Sequence, residues 1–265
     1  ARQGVREITL LGQNVNSWGR DLLPEIRTEF GELLRACDAV DGIDRIRFTS
    51  PHPKDFRDPV IAAIAECDAV CEQVHLPLQS GSSRVLKAMR RTYTAERYLA
   101  LVERMRGAIP DLAIGTDIIV GFPGETEDDF LATLDVVREV GYDSAFTFVY
   151  SPRAGTEAAA MPDPVPHDLK IERMERLVEL TQSIARERNR ARVGRVEQVL
   201  VEGASRTDDA LLRGRTRRNT TVNFTGSAAP GDLVDVLIEG STSTTLRGVE
   251  TDPSHSLVTL GACAS

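Results

Sequence analysis

Residues 115–130 combine an apolar run, a glycine-rich turn and an acidic helix start, a combination suited to holding a ligand. The run at 118–120 is typical of a parallel strand buried on both faces. Glycines and a proline at 121–124 turn the backbone sharply, and the acidic residues at 126–129 suit the positive end of a helix dipole. Backbone groups at such a strand end are free to meet a ligand. An ordinary β-to-α loop has the same glycines, so other parts of the chain must decide between the two interpretations.

The elements that would position this turn alternate regularly. Strand-like runs occur at 7–11, 45–48, 74–78, 113–120 and 145–150, and helical patterns at 30–40, 59–65, 83–91, 95–109 and 128–140. This alternation predicts an α/β fold in which a parallel sheet forms an open or closed barrel. Polar or turn residues follow the strands at 12–14, 49–52, 79–81, 121–125 and 151–153. Because the carboxyl ends of parallel strands share one rim, we expect these loops to form one site.

Composition limits the class of protein. The chain has 265 residues, 41% of them apolar, which allows one large and one small domain with real cores. No apolar run approaches the roughly 20 residues of a membrane span, and the N-terminus has no signal-peptide pattern, so we predict a cytoplasmic protein without a membrane partner. Four scattered cysteines do not form a disulfide framework, and a net charge of -8 does not by itself indicate nucleic acid.

The sequence pattern changes after Met161. A proline-rich joint leads into a predicted helix over 166–193, and short strand-like runs follow at 196–201, 211–214, 221–224, 233–238 and 245–248. We predict a small OB-like β-barrel, a fold that often binds oligonucleotides. The expected domains are a barrel over 1–165, a connecting helix over 166–193, the small barrel over 194–260 and a tail over 261–265.

The first residues read as the last turn of a helix capped by Gly4 and followed at once by a strand. We therefore expect a strand and a helix upstream, which makes this a fragment with a partial (truncated) first barrel. Its open strand edge predicts self-association.

Positive charge is concentrated late in the chain, with ten arginines against five acids over 186–218. This stretch is either an RNA-facing stripe or the solvated flank of a long helix. The candidate RNA-binding residues are Arg190, Arg192, Arg215, Arg217, Arg218 and Asn219, the last four of which we place in a loop between two strands.

Five motifs in order, LLGQNVNSWG, IDRIRFTSPHP, HLPLQSGSSRVLKAMRR, DIIVGFPGETEDDF and SPRAGTEAA, resemble the radical S-adenosylmethionine methylthiotransferases. The resemblance covers nearly the whole chain, with a TRAM domain over 194–260. The QNVN and QSGS sequences resemble the tRNA-modifying MiaB branch. The fold implied is a TIM-like radical-SAM β/α barrel, here partial, followed by the all-β TRAM barrel.

This resemblance implies radical chemistry that puts a methylthio group on carbon 2 of an isopentenylated adenosine beside the tRNA anticodon. The family uses S-adenosylmethionine and two 4Fe-4S clusters. The implied partners are a tRNA anticodon stem-loop and an electron donor.

The resemblance also assigns residues to the cofactor. Gln13 and Asn14 match the strand end facing its methionine group, and the remaining matches lie near the ribose or the adenosyl portion: Gln79, Ser80, Ser82, Asp117, Gly121 and Glu125. Each of these residues also has a purely structural interpretation. These are a polar turn at Gln79 and Ser80, a buried hydrogen-bond acceptor at Asp117, and a helix cap at Glu125.

The last strand of the first domain carries aromatic residues. Phe148, assigned to the cofactor site, and Tyr150 suit stacking on a splayed base, and Arg153 suits RNA; a core role for Phe148 is the alternative. His52 and His75 are expected at the rim as structural imidazoles, because no cluster with metal-ligand spacing accompanies them.

The sequence departs from the family at its cysteines. The radical cluster needs C-x3-C-x2-C, and Cys67 and Cys71 have the first spacing, but the third position is Val74. We predict buried structural thiols, no metal ligands in this chain and no assignable catalytic residue. The fragment alone is then expected to be inactive. One alternative is a fragment that binds RNA or the cofactor without turnover. The other is a methylthiotransferase that acts on a ribosomal protein or on threonylcarbamoyl-adenosine.

Overall fold

A computed structural model describes residues 1–23, 28–162, 164–206 and 208–251. The described chain divides into two compact units, Arg6–Ala185 with Ala1 and Arg186–Ser265 with Arg2–Val5. In the described part of the chain, no helix combines the length and the apolar character that crossing a bilayer requires.

The first unit alternates strands and helices as the sequence predicts. Its elements are β1 (Glu7–Leu10), α1 (Phe30–Asp38), β2 (Arg45–Phe48), α2 (Asp58–Glu66), β3 (Gln73–His75), α3 (Ser83–Ala88), α4 (Ala95–Ala108), β4 (Ala113–Val120), α5 (Glu127–Val140), β5 (Ser144–Val149) and most of α6 (His167–Arg190).

All strand pairs in this unit are parallel. β1 pairs with β2, and β3, β4 and β5 pair in that order. A bridge between Ile46 and Val70 joins the two groups. Sequential parallel strands with helices on one side are the arrangement of a β/α barrel wall, which confirms the predicted α/β class.

The two faces of this sheet differ. Ile46, Ile114, Ile118 and Val120 point to one face and are almost fully buried with the helices. Residues in register on the opposite face, such as Asp117 and Phe146, are partly or largely exposed. We call this opposite face of β1–β5 the inner face, because in a β/α barrel it lines the interior.

The second unit is all-β apart from the end of α6. It consists of β6 (Val196–Ala204), β7 (Leu212–Thr216), β8 (Thr221–Thr225), β9 (Leu233–Ser241) and β10 (Thr245–Glu250), which close into a barrel in the order β10-β8-β7-β6-β9. A separate core fills it, with Val199, Val222, Phe224 and Val236 completely buried. The predicted small barrel is thus confirmed.

Candidate functional site

The carboxyl ends of β2, β3 and β4 share an unusual backbone feature. Ser50, Gln79 and Gly121, each just beyond one of these strands, have φ angles of 56°, 67° and 74°. For residues other than glycine this left-handed region costs of order 1–3 kcal/mol, and such strain clusters at functional sites. Gln79 is held there by its backbone N–H, which donates to Asp117 O at 2.8 Å, and by its carbonyl, which accepts from Ile119 N at 2.9 Å.

A cleft of about 420 Å³ opens at this rim, a size that suits a small-molecule ligand. We call it the rim cleft. Its lining residues come from the segment after β3, the ends of β4 and β5, and the short helix Glu157–Ala160: Ala88, Met89, Arg90, Arg91, Ile119, Phe122, Tyr150, Thr156, Glu157, Ala158 and Met161. Phe122 and Tyr150 meet edge to face with ring centroids 5.2 Å apart, which gives the cleft an aromatic wall.

Two polar atoms of the rim cleft are buried without a hydrogen-bond partner among the described residues. They are the Tyr150 hydroxyl oxygen and Nε of Arg91. An unsatisfied buried polar group costs about 1–3 kcal/mol, and in native structures such a group usually meets water or a ligand. Both residues line the cleft, so they are the candidates to meet the polar groups of an occupant whose remaining surface packs on the aromatic wall.

An ion pair spans the mouth of the rim cleft. Arg90, just beyond α3, pairs with Glu157 of the short helix. Both side chains are about three-quarters exposed, so solvent screens the pair and it stabilises the loop weakly, by at most about 1 kcal/mol.

The inner face below the rim carries a second group of functional side chains. His75 Nε2 lies 3.1 Å from Asp117 Oδ1, and both side chains are about one-quarter exposed. The Phe146 ring lies 5.9 Å from the His75 ring. Phe146 and Phe148 are 60% and 51% exposed, which is unusual for phenylalanine and makes them a flat apolar surface. The interpretation of Phe148 as a core residue is therefore wrong.

The predicted Gln13 and Asn14 lie beyond β1. Gln13 is exposed. The amide of Asn14 donates to Asp55 at 2.6 Å, and its carbonyl oxygen is buried without a partner in the described chain. Burial raises the pKa of Asp55, but hydrogen bonds from Asn14 and Arg20 outweigh it and leave that pKa lowered. Asp55 is thus an ionised acceptor that orients Asn14 on the rim.

The structure turns the side chains of Ser80 and Ser82 away from the rim cleft, so their contact with the cofactor stays a prediction for the backbone of this loop alone. Both residues are buried, and their hydroxyls face α5 rather than the rim cleft. Ser80 Oγ lies 3.4 Å from Thr133 Oγ1, and Ser82 Oγ donates to Asp129 at 2.6 Å. Ser82 also caps α3 by accepting from Val85 N. These hydroxyls fix the β3–α3 loop, and Gln79 is the residue of this motif left near the site.

The Glu125 side chain also points away from the rim. It is 2% exposed and accepts hydrogen bonds from Gly121 N at 3.0 Å and Arg173 Nη1 at 2.7 Å. Burial raises the pKa of Glu125, against the effect of these two donors. The carboxylate therefore closes the 121–125 turn from inside, while the turn backbone remains at the rim. Neither is Glu125 the helix cap, since Thr126 caps α5.

The predicted RNA-binding residues differ in their exposure and in whether an acidic side chain already pairs with them. Arg153 and Arg190 are exposed, and Arg217, Arg218 and Asn219 form the turn after β7. Two expectations are corrected. Arg215 lies within β7, not in a loop, and its Nε donates to Glu202 at 2.8 Å. Arg192 is largely buried and its Nε donates to Glu197 at 2.6 Å.

Cys67 and Cys71 are the two cysteines with the spacing of the first two cluster ligands. Cys67 and Cys71 are buried, as predicted, and burial raises the pKa of Cys67 to about 11. Val74, at the position of the missing third cysteine, is completely buried in the core. Within the described ranges no group of three or more metal-ligating side chains occurs, and Cys263 lies outside them.

Sequence reasoning missed Arg90, Arg91 and Glu157. The pair Arg90-Arg91 follows the C-terminus of α3, where basic residues are common because they suit the helix dipole, so charge alone did not mark them. Their role depends on a loop almost 70 residues later that returns to the same rim, which no local pattern shows.

Comparison with known proteins identifies both units. Residues 1–137 match the Radical SAM superfamily, and residues 190–249 match the TRAM domain. The chain is 53% identical over 249 residues to a tRNA-2-methylthio-N(6)-dimethylallyladenosine synthase of Clostridium botulinum, covering 94% of this chain and 55% of that protein. Synthases of the same name from Acidothermus cellulolyticus and Acetivibrio thermocellus are 57% and 52% identical, over 89% and 93% of this chain.

The chain spans about half the length of these curated relatives, 48% to 55%. The superfamily match covers more than half of the chain and coincides with the β/α unit whose strand ends carry the rim cleft. The chain therefore belongs to the radical SAM superfamily and carries a TRAM domain.

Proposed function

We propose that the protein acts as a tRNA methylthiotransferase, placing a methylthio group on carbon 2 of N6-isopentenyladenosine beside the anticodon. The names of its relatives and the TRAM domain support the reaction class and the RNA substrate. The observation that carries the proposal is the rim cleft, with its aromatic wall and two unsatisfied polar atoms, on a radical SAM fold.

The rim cleft fits S-adenosylmethionine. Phe122, Tyr150 and Ile119 provide the apolar surface that a nucleoside base needs, and Arg91 provides an N–H for a carboxylate. Among the residues assigned from the family resemblance, Gln13, Asn14, Gln79 and the backbone of Gly121 lie beyond strand ends outside the cleft lining, and we propose that they meet the part of the cofactor that extends from the cleft. Asp117 and Phe148 lie on the inner face, and we propose that they face both the cofactor and the substrate base. When bound, S-adenosylmethionine supplies a carbon radical strong enough to attack an inert aromatic C–H bond.

The iron–sulfur clusters do not fit the residues of this chain. Cys67 and Cys71 are buried, the Cys67 thiol holds its proton to high pH, and Val74 replaces the third ligand. Thiolates, not thiols, bind iron. We therefore assign no step through a cluster to these residues. Two 4Fe-4S clusters and an electron donor belong to the proposed reaction, with their ligands outside this sequence.

The residues of the inner face would hold the substrate base. Phe146 and Phe148 expose ring faces on which a splayed purine can stack, as single-stranded bases do in RNA-binding proteins. The His75–Asp117 pair lies beside them, so its hydrogen bond fixes the imidazole orientation next to the stacked ring.

Analysis of tRNA nucleosides tests the function directly. Deleting the encoding gene in its host should remove the 2-methylthio nucleoside and leave N6-isopentenyladenosine to accumulate, as measured by mass spectrometry. Reintroducing the gene should restore it. An unchanged nucleoside profile in the deletion strain would overturn the proposal and favour a protein substrate.

A further inference from the structure

A second cleft lies on the first unit, outside the rim cleft. It has a volume of about 530 Å³ and lies between the turn after β2 and α4. Its lining residues are Pro53, Lys54, Phe56, Arg57, Asp58, Thr92, Tyr93, Arg97, Tyr98, Ala100, Leu101 and Arg104. We call it the basic cleft, because these residues include four cations and one carboxylate.

The cations of the basic cleft are exposed and only partly compensated. Arg57 lies 3.4 Å from Glu29, and Arg104 lies 3.8 Å from Asp58, in both cases between exposed side chains. Among the residues that the structure describes, no carboxylate pairs with Lys54 or Arg97. A protein of net charge -8 thus concentrates positive charge in one concave surface.

The floor of the cleft is rigid. Phe56, Tyr93 and Tyr98 are buried beneath the cations, and the Tyr93 and Tyr98 hydroxyls donate to backbone carbonyls of Pro77 and Leu76 at 3.0 and 2.8 Å. The charged side chains therefore extend from a fixed surface. A concave surface lined by one sign of charge focuses the field on an approaching polyanion.

The basic cleft is continuous with the rim. The His52 ring, at the end of the segment that follows β2, lies 5.8 Å from the Tyr93 ring, which lines the cleft. Lys54 follows two residues later, and its backbone N–H donates to His52 Nδ1 at 3.2 Å. Burial and then Lys54 lower the pKa of His52, against the opposing effect of Asp55, and Arg91 lowers it further.

We propose that the basic cleft binds the phosphate backbone of the substrate RNA, as an anchor on the catalytic unit that is separate from the TRAM barrel. This inference rests on the proposed function, because it names how that substrate is held. The four cations lie beside the rim of the sheet. This position suits contact with consecutive phosphates of an RNA strand while one of its bases enters the inner face. Lys54 and Arg97 are the residues that contribute most, because neither makes a close ion pair in the described chain, although the buried carboxylate of Asp55 lies near enough to Lys54 to interact with its charge.

The test is the double substitution Lys54→Ala with Arg97→Ala. The probe is a stem-loop RNA carrying N6-isopentenyladenosine, and the measurement is the dissociation constant over a range of salt concentrations. We expect several-fold weaker binding and a log–log salt slope reduced by up to about 2, since each lost phosphate contact removes about 1. Arg106→Ala with Arg138→Ala, on α4 and α5 outside the cleft, removes the same charge and is the control.

The outcomes separate the two proposals. If wild-type protein binds the RNA and the double variant binds with the same affinity and slope, the basic cleft is not an RNA anchor, while the proposed function stands. If the variant loses affinity for a polyglutamate peptide but not for RNA, the cleft takes an acidic protein and the inference is overturned. If wild-type protein does not bind the RNA at any salt concentration, both proposals fall.

Discussion

Tyr150 shows how a single atom can mark a ligand site. A tyrosine hydroxyl in a folded protein normally finds a partner, as the Tyr142 hydroxyl does with Tyr98 Oη at 3.0 Å. The Tyr150 hydroxyl is also buried but has no partner in the described chain, and Tyr150 is one of the residues that line the rim cleft. Removing it therefore leaves no protein group unsatisfied, whereas a bound ligand would lose a hydrogen bond.

Tyr150→Phe should reduce the affinity for S-adenosylmethionine about 2- to 12-fold, which corresponds to one hydrogen bond of about 0.5–1.5 kcal/mol. Its thermal stability should be unchanged or slightly raised. Isothermal titration calorimetry and thermal unfolding provide the two readouts. Tyr142→Phe is the matched control, and it should lower stability without changing affinity. Equal affinity of Tyr150→Phe and wild type would remove the hydroxyl from the cofactor site.

The buried cysteines lead to a prediction about iron. After anaerobic incubation with iron and sulfide, this chain should not retain stoichiometric iron, because Cys67 and Cys71 are buried and the pKa of Cys67 is raised to about 11. Iron analysis and visible absorption measure this. Iron bound in stoichiometric amount with a brown colour, and lost in Cys67→Ala, would show that these thiols are ligands after all.

At the scale of elements, the β3–α3 loop depends on close contact with α5. A Cβ atom at Gly81 would lie 2.4 Å from Thr133 Cα and 2.5 Å from Ala132 O, both of which are backbone atoms that cannot move aside. Gly81 N also donates to Thr133 Oγ1 at 2.9 Å. Glycine is required at this position by the approach of a helix and not by its own φ angle.

Gly81→Ala should therefore destabilise the first unit by more than about 2 kcal/mol, through overpacking. Gly107, in α4, has open space where its Cβ would be, and Gly107→Ala should stabilise by about 0.5–1 kcal/mol through helix propensity. Urea unfolding of both variants measures the contrast. Similar midpoints for the two variants would contradict the close packing of this loop.

Asp129 joins three elements. It accepts from Ser82 Oγ, pairs with Arg84, and completes the capping box with Thr126 at the start of α5. Burial raises its pKa, but these donors outweigh burial and leave the pKa well below its ordinary value. A lowered folded-state pKa contributes stability above the unfolded-state pKa of about 3.9, and this stability is lost as the pH falls below it.

Asp129→Asn should destabilise by about 1–3 kcal/mol near neutral pH, because a charged acceptor and part of the capping box are lost. The difference from wild type should shrink as the pH falls from about 5 to about 3, because the unfolded wild-type chain then takes up a proton at Asp129 while the folded state, with its lowered pKa, does not. Thermal unfolding across this range tests both statements. A constant difference at all pH values would show that the carboxylate charge is not involved.

At the scale of the whole molecule, the sequence predicted elements better than side-chain roles. The strands and helices followed from local periodicity, and the rim followed from the rule that parallel strands end on one edge. The direction of a side chain was not predicted where its partner is distant in sequence. Glu125 turns inward because Arg173 lies 48 residues later, and Ser80 and Ser82 face α5 about 50 residues later. Arg215 was misplaced because β7 extends to Thr216, beyond the apolar pattern that marked it.

One whole-molecule expectation concerns association. In the described part of the chain β1 pairs with β2 alone, so its other edge has open backbone groups. Self-association through this edge stays a prediction. Sedimentation velocity over a range of concentrations measures it, and a monomer at all of them would contradict it.

An acidic protein can bind RNA only where positive charge is concentrated locally on its surface. With a net charge of -8, the long-range field opposes RNA, whereas residues 186–218 carry ten arginines against five acids. Two of these arginines, Arg192 and Arg215, are held by Glu197 and Glu202. The turn after β7 is another candidate contact, because Arg217 and Arg218 are adjacent there and both side chains are partly exposed.

Arg217→Ala with Arg218→Ala should weaken binding of the stem-loop RNA and reduce the salt slope by up to about 2, one for each phosphate contact. The barrel core does not include either side chain, so its unfolding midpoint should change little. Arg106→Ala with Arg138→Ala is again the charge-matched control. If the turn variant has wild-type affinity and slope while Lys54→Ala with Arg97→Ala does not, the RNA backbone is held by the catalytic unit and the TRAM barrel has another role.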